Sequence, residues 1–137
     1  MDYHWRMRDP RLDQLGEVLV RHCTGVRPGD LVTIVGEPGF MAPVEALFES
    51  VLRAGGHPSF HVRSEALRET VLRHGSDGQI GHVSPFEAHR LDRCDVLIVL
   101  DAPVDCAGGK AIDPAKRVME QRARAGMFAA CLQRAAE

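Results

Sequence analysis

The sequence has no Cys-x-x-Cys pair, no block of like charge, no low-complexity tract and no long apolar run. Each absence removes a class of function. The longest apolar stretches, such as Val96 to Leu100, fall far short of the roughly 20 residues a membrane-spanning helix needs. The first residues, Met-Asp-Tyr-His-Trp-Arg, lack the apolar centre of a secretion signal, so a cytoplasmic location without a membrane partner is expected. Seventeen basic residues against nineteen acidic ones leave a net charge of −2. Neither sign is concentrated, and without a basic patch no nucleic-acid partner is expected. Zinc modules use closely spaced cysteine pairs because two thiolates on one turn can share an ion. Here Cys23, Cys94, Cys106 and Cys131 are scattered. A disulfide framework is not expected in a chain with an ordinary core and no export signal. Cys23 and Cys131 read as small core residues on apolar helical faces, and Cys106 as a loop thiol.

What is present is an average globular composition, 45% apolar and 26% charged, in a chain long enough for a real core. Residues 1–137 read as a single domain without an internal boundary. Asp9-Pro10 opens a first helix, with Asp at the N-cap and Pro at the first helical position. Leu12, Leu15, Val18, Leu19 and Cys23 recur at helical spacing and predict its buried stripe. Gly25 to Asp30 ends it, and Leu31–Val35, rich in β-branched residues, is a buried strand. A turn, Gly36-Glu37-Pro38-Gly39, leads to a helix over Pro43–Ala54 with a face of Val44, Leu47, Phe48, Val51 and Leu52. Gly55-Gly56 closes that helix.

Ser59–Arg63 alternates and predicts a half-exposed strand. Ser64 caps a helix to His74 carrying Leu67 and Val71, and Ser84-Pro85-Phe86-Glu87 has the pattern of a capping box. Asp95 to Leu100 contains the third and most apolar strand. Asp113-Pro114 starts a last helix with Val118, Met119, Met127, Cys131 and Leu132 near one face, which Gly126 bends or interrupts.

Strands alternating with helices imply an α/β fold: a three-layer domain with a small parallel sheet of three main strands flanked by helices. Leu31–Val35 should be central, since its neighbours in sequence then pair on either side. Two of the three strands are apolar on both faces, and an apolar edge needs a cover. Self-association through the third strand or the last helix, most simply as a homodimer, is the resulting expectation.

No complete catalytic or metal site can be assembled from the residues. His57 and His61 are four apart, but Pro58 and the alternating Phe60 and Val62 make the segment extended, placing the rings about 13 Å apart. His22 and His74 fall near helix ends, and His82 and His89 flank the Ser84 helix without a partner spaced to join them. The Gly36-Glu37-Pro38-Gly39 turn stands where α/β folds bind ligands, beyond the carboxyl end of a strand. Gly36, Glu37 and Gly39 are therefore the candidate ligand-facing residues. The turn lacks the glycine pattern of a dinucleotide fingerprint, and Gly108-Gly109-Lys110 is followed by Ala111 where a phosphate loop needs Ser or Thr. No nucleophile elbow or activated cysteine signature occurs. Asp92 and Asp95 read as caps and solvated groups.

The order of several short stretches carries a resemblance. Asp9-Pro-Arg-Leu12, Val26-Arg-Pro-Gly-Asp-Leu-Val32, Gly36-Glu37, Leu52-Arg-Ala-Gly-Gly-His-Pro58, His74-Gly-Ser-Asp77, Val83-Ser-Pro85 and Asp113-Pro-Ala-Lys116 succeed one another across nearly the whole chain. Together they resemble the N-terminal domain of the thermophilic metalloaminopeptidase family, the aminopeptidase T type. That resemblance implies a parent hydrolase that removes N-terminal residues from peptides with two divalent ions, among zinc, cobalt or manganese, and that forms a homodimer. It implies that the ligands and catalytic carboxylate lie in a subsequent domain, so none is carried onto this chain. Ala102-Pro-Val-Asp-Cys-Ala-Gly-Gly109 departs from an expected Asn-containing loop. The contrasting reading is a free-standing α/β binding or interaction module without catalysis. A small-ligand domain using the Gly36–Gly39 turn, and a ring-cleaving dioxygenase of similar fold, are further readings.

Overall fold

A computed structural model describes residues 8–101 and 112–135. These form two compact units. One runs to Val62 and includes Asp95–Leu100; the other joins Arg63–Cys94 to the described residues from Asp101 onward.

The first unit begins with α1 (Pro10–Glu17). The Asp9 carboxylate accepts the Arg11 N–H at 2.9 Å, and Pro10 takes the first helical position, as the sequence requires. The helix then widens into a π-helical turn, Val18–Cys23, closed by the Thr24 N–H donating to Leu19 O at 3.0 Å. The buried stripe differs from the expected one. Leu15 and Val18 are 43% and 47% exposed and Cys23 is exposed, whereas Gly16 and Val20 are buried. The reason is a close helix approach: a Cβ on Gly16 would lie 2.8 Å from Ser50 Oγ and 3.0 Å from Ala46 O on α2 (Met41–Arg53). The bare glycine face turns inward, and the wider turn rotates Val20 and its neighbours out of the phase set by α1.

The sheet has the order β2-β1-β3, entirely parallel, with β1 (Leu31–Gly36) central as expected. β2 covers His57–Val62, starting ahead of the predicted Ser59. Pro58 pairs opposite Val32 on this outer strand, where a missing N–H can face away from the ladder. β3 is Val96–Leu100. Val20, Val32, Ile34, Val44, Leu47, Val51 and Ile98 form the core between the sheet, the π-helical turn and α2. Each such aliphatic side chain contributes roughly 1.5–3 kcal/mol by leaving water. Val44, Leu47 and Val51 are buried as predicted, but Leu52 is 60% exposed. It lies a further helical step round from Val51, off the packed face.

The second unit is helical. α3 (Glu65–His74) is capped by Ser64, whose Oγ accepts the Leu67 N–H at 3.4 Å. Leu72 is buried instead of Leu67 and Val71, which stay exposed. A short α4 (Asp77–Ile80), not predicted, carries a full capping box: Ser76 Oγ accepts from Gln79 N, and Gln79 Oε1 accepts from Ser76 N. In α5 (Pro85–Arg93) the expected box does not form. Ser84 makes no side-chain cap bond, and Glu87 is directed to Arg124 at 3.9 Å. α6 (Pro114–Ala135) runs unbroken through Gly126 for 22 residues. Met119, Met127 and Cys131 are half-buried, but Val118 and Leu132 are exposed and Glu120 is buried in their stead. Leu72, Ile80 and Ile112, with Met119 against them, form this unit's core.

Candidate functional site

The turn singled out from the sequence stands at the carboxyl end of the central strand. Gly36 pairs level with Val62 of β2 and Leu100 of β3. Gly36 is buried, Glu37 half-buried, and Pro38 and Gly39 exposed. The segment is a strand end followed by one 3-10 turn, Pro38–Phe40, that runs directly into α2. The Phe40 N–H donates to Glu37 O at 3.0 Å and closes that turn.

The two glycines have different reasons. A Cβ on Gly36 would stand 3.3 Å from Leu100 Cβ and 3.7 Å from Phe60 Cε2, so its bareness serves strand packing. Nothing lies within 4 Å of a Cβ on Gly39, which faces open space. Helix starts attract anions through their free N–H groups. Here Glu37 places a carboxylate directly ahead of the first turn, and that charge opposes a phosphate. Of the three candidate residues, Gly39 is thus accessible and Glu37 partly so, while Gly36 is packed between the neighbouring strands.

Among the described residues, no group of three or more His, Cys, Asp or Glu side chains converges to hold a metal ion. His57 and His61 lie in β2, extended as expected. His22, His74, His82 and His89 are all exposed. Cys94 is buried, its thiol donating to Leu91 O at 3.4 Å. Cys131 is half-buried. Cys106, the loop Ala102–Gly109 and Gly108-Gly109-Lys110 lie outside the described residues. No helix among the described residues is long and apolar enough to cross a membrane.

Asp95, read as a solvated group, does more than that. Its carboxylate accepts the Leu31 N–H at 2.8 Å while its own N–H donates to Leu31 O at 2.9 Å, fastening β3 to the start of β1. The sequence reading also missed an ionic cluster in the second unit. Arg68 bridges Glu65 and Glu120, and Arg124 approaches Glu120 and Glu87 at 3.9 Å. Only the i,i+3 pair Glu65–Arg68 and the i,i+4 pair Glu120–Arg124 had a local signal. The cluster ties helices together and holds no reacting group.

A family model described as thermophilic metalloprotease (M29) matches residues 8–137. Among solved structures, wild-type AmpT from Thermus thermophilus is similar, with a TM-score of 0.75 at 16% identity, over 91% of this chain and 32% of that one. At that identity the likeness is one of fold. The chain therefore spans about a third of the length of that structure. Nothing matches among curated protein sequences.

Proposed function

We propose, for a chain that belongs to the thermophilic metalloprotease (M29) family, the role of a non-catalytic N-terminal domain in a metal-dependent aminopeptidase. The observation that carries this is the pairing of a family match over residues 8–137 with a fold that accounts for only 32% of AmpT. The described residues do not fit a resident metal centre, because three or four convergent ligands are needed and no such group is found among them. Zinc, cobalt or manganese chemistry, and the hydrolysis of N-terminal residues from a peptide substrate, then belong to sequence beyond these elements. The same reading includes a cytoplasmic location, no nucleic-acid partner and a homodimer.

A second reading, an α/β interaction module that pairs through its sheet edge, draws on β3. Among the described residues its sole strand neighbour is β1, and Val99 is 42% exposed. The hydrolysis of aminoacyl-anilides by the purified 137-residue chain, with each metal added in turn, tests the first reading. The expected rate is the uncatalysed background. Metal-dependent turnover that disappears when one His or Glu of this chain is replaced would overturn the non-catalytic assignment.

A further inference from the structure

One line along α6 is tied to α5 at both of its ends. Arg124, Met127, Cys131 and Arg134 follow one another at the spacing 3-4-3, which keeps them on one side of a helix. The Arg124 guanidinium lies 3.9 Å from the carboxylate of Glu87, in the first turn of α5. Arg134 donates to Leu91 O and Cys94 O, each at 3.0 Å, and to Asp92 O. These carbonyls stand at the closing end of α5, where a helix leaves its last acceptors without internal partners. The two helices therefore run in the same direction, and Cys131, one turn before Arg134, comes to the closing end of α5. Cys94 is the residue that ends α5. Its thiol donates to Leu91 O at 3.4 Å, the same oxygen that Arg134 holds.

We propose that Cys94 and Cys131 are a redox pair, two thiols that close reversibly into a disulfide joining α5 to α6. Both are thiols in this structure. Packed helices lie roughly 8–10 Å apart, axis to axis, and carry their α-carbons about 2.3 Å from each axis. Facing α-carbons on such helices come to roughly 5 Å, within the range of about 4.4–6.8 Å that a disulfide spans. The second unit already has a core in Leu72, Ile80 and Ile112, so the bond is a reversible addition and not a staple on which folding depends. In a reducing compartment, that is the kind of disulfide that senses oxidation.

The oxidant is a low-molecular-weight disulfide, and exposure sets the order of events. Cys131 is half-buried, whereas Cys94 is 7% exposed. The Cys131 thiol gives its proton to solvent, its sulfur attacks the small disulfide, and one small thiolate leaves and takes up a proton. The Cys94 thiol gives its proton to solvent in turn. Its sulfur attacks Cys131 Sγ, and the second small thiolate leaves and is protonated. Two protein thiols are oxidised to one disulfide, and one small disulfide is reduced to two thiols. Arg134 is a positioning residue: it holds the last turn of α6 against α5, where Cys131 meets Cys94.

The 137-residue chain carrying Cys23→Ser and Cys106→Ser keeps these two thiols alone. It is equilibrated with mixtures of oxidised and reduced glutathione, quenched in acid and mapped by peptide mass spectrometry. Each chain should lose two hydrogens and yield the Cys94 and Cys131 peptides as a linked pair, and dithiothreitol should separate them. The bond should be favoured at least about tenfold over the same chain unfolded in urea, and the oxidised protein should unfold at a higher urea concentration than the reduced one. Arg134→Met should lower that preference with unchanged circular dichroism. Glutathione adducts without the internal link overturn the pair, as does a link that joins only separate chains or one no more favoured than in urea. If the doubly substituted chain does not fold, the unsubstituted chain is mapped in the same way, and a dominant link through Cys23 or Cys106 overturns the pair. An unchanged preference in folded Arg134→Met overturns the positioning role. None of these outcomes depends on peptide hydrolysis, which tests the family role separately.

Discussion

The Arg68 guanidinium grips the carboxylate of Glu120 through Nε, at 3.0 and 2.9 Å from its two oxygens, across 52 residues of sequence. The contact fixes α3 against α6 by a bond that neither helix could make alone. The Arg68 pKa is raised above its ordinary value, foremost by this hydrogen bond, against the opposing effect of burial.

Removing Glu120 should leave Arg68 with Glu65 as its remaining carboxylate partner and loosen α3 from α6. Glu120→Ala is expected to destabilise the protein by about 1–3 kcal/mol in urea unfolding. Replacing both, as Arg68→Met with Glu120→Leu, should recover most of that loss, because paired apolar groups avoid the desolvation of two ions. A double variant no more stable than the single one would contradict this account.

Glu49 offers a pH test. The hydrogen bond from Arg8 and the nearby Arg53 hold its carboxyl below the usual range. The unfolded chain therefore takes up the proton first as pH falls. The stabilisation is present above the ordinary carboxylate pKa and is lost as pH drops through the depressed folded value. The stability difference between the protein and Glu49→Gln should be open at neutral pH and close below about pH 4. Denaturant midpoints measured across that interval give the comparison.

The two glycines of the central turn should separate cleanly. Gly36→Ala brings a methyl group 3.3 Å from Leu100 Cβ and is expected to cost about 1–2 kcal/mol by overpacking. Gly39→Ala meets nothing within 4 Å and should be neutral within about 0.5 kcal/mol. Equal losses at both positions would mean that the turn, and not strand packing, demands the glycines.

Asp95→Ala deletes the acceptor of the Leu31 N–H, whose bond is 2.8 Å long, and exchange of that amide with deuterium should accelerate. The loss of global stability should be about 1 kcal/mol, the usual size of such a bond. Amide exchange measured residue by residue will show whether the acceleration is confined to the start of β1.

Several features could be read before folding because their causes are local. Asp9-Pro10 and Ser64 announce helix starts through backbone geometry and one hydrogen bond each. Leu31–Val35 announces a buried strand through β-branching, and strand–helix alternation implies parallel pairing with β1 in the centre. The position of Gly36, Glu37 and Gly39 beyond that strand came from the same order. Ser76 and Gln79 had the spacing of a capping box, but a single helical turn has too few apolar residues to show a period.

What the sequence determined by itself is the order of the main strands and helices, the caps at Asp9 and Ser64, and the parallel sheet, since these depend on neighbours along the chain. The tertiary structure alone decided which helix faces turn inward. Leu15 and Val18 yield to Gly16 and Val20 because α2 approaches to within contact of a bare backbone. Leu67 and Val71 yield to Leu72 because Arg68 is anchored on a carboxylate 52 residues away. Periodicity states that a helix has an apolar side; the partner it meets selects the angle at which that side is used.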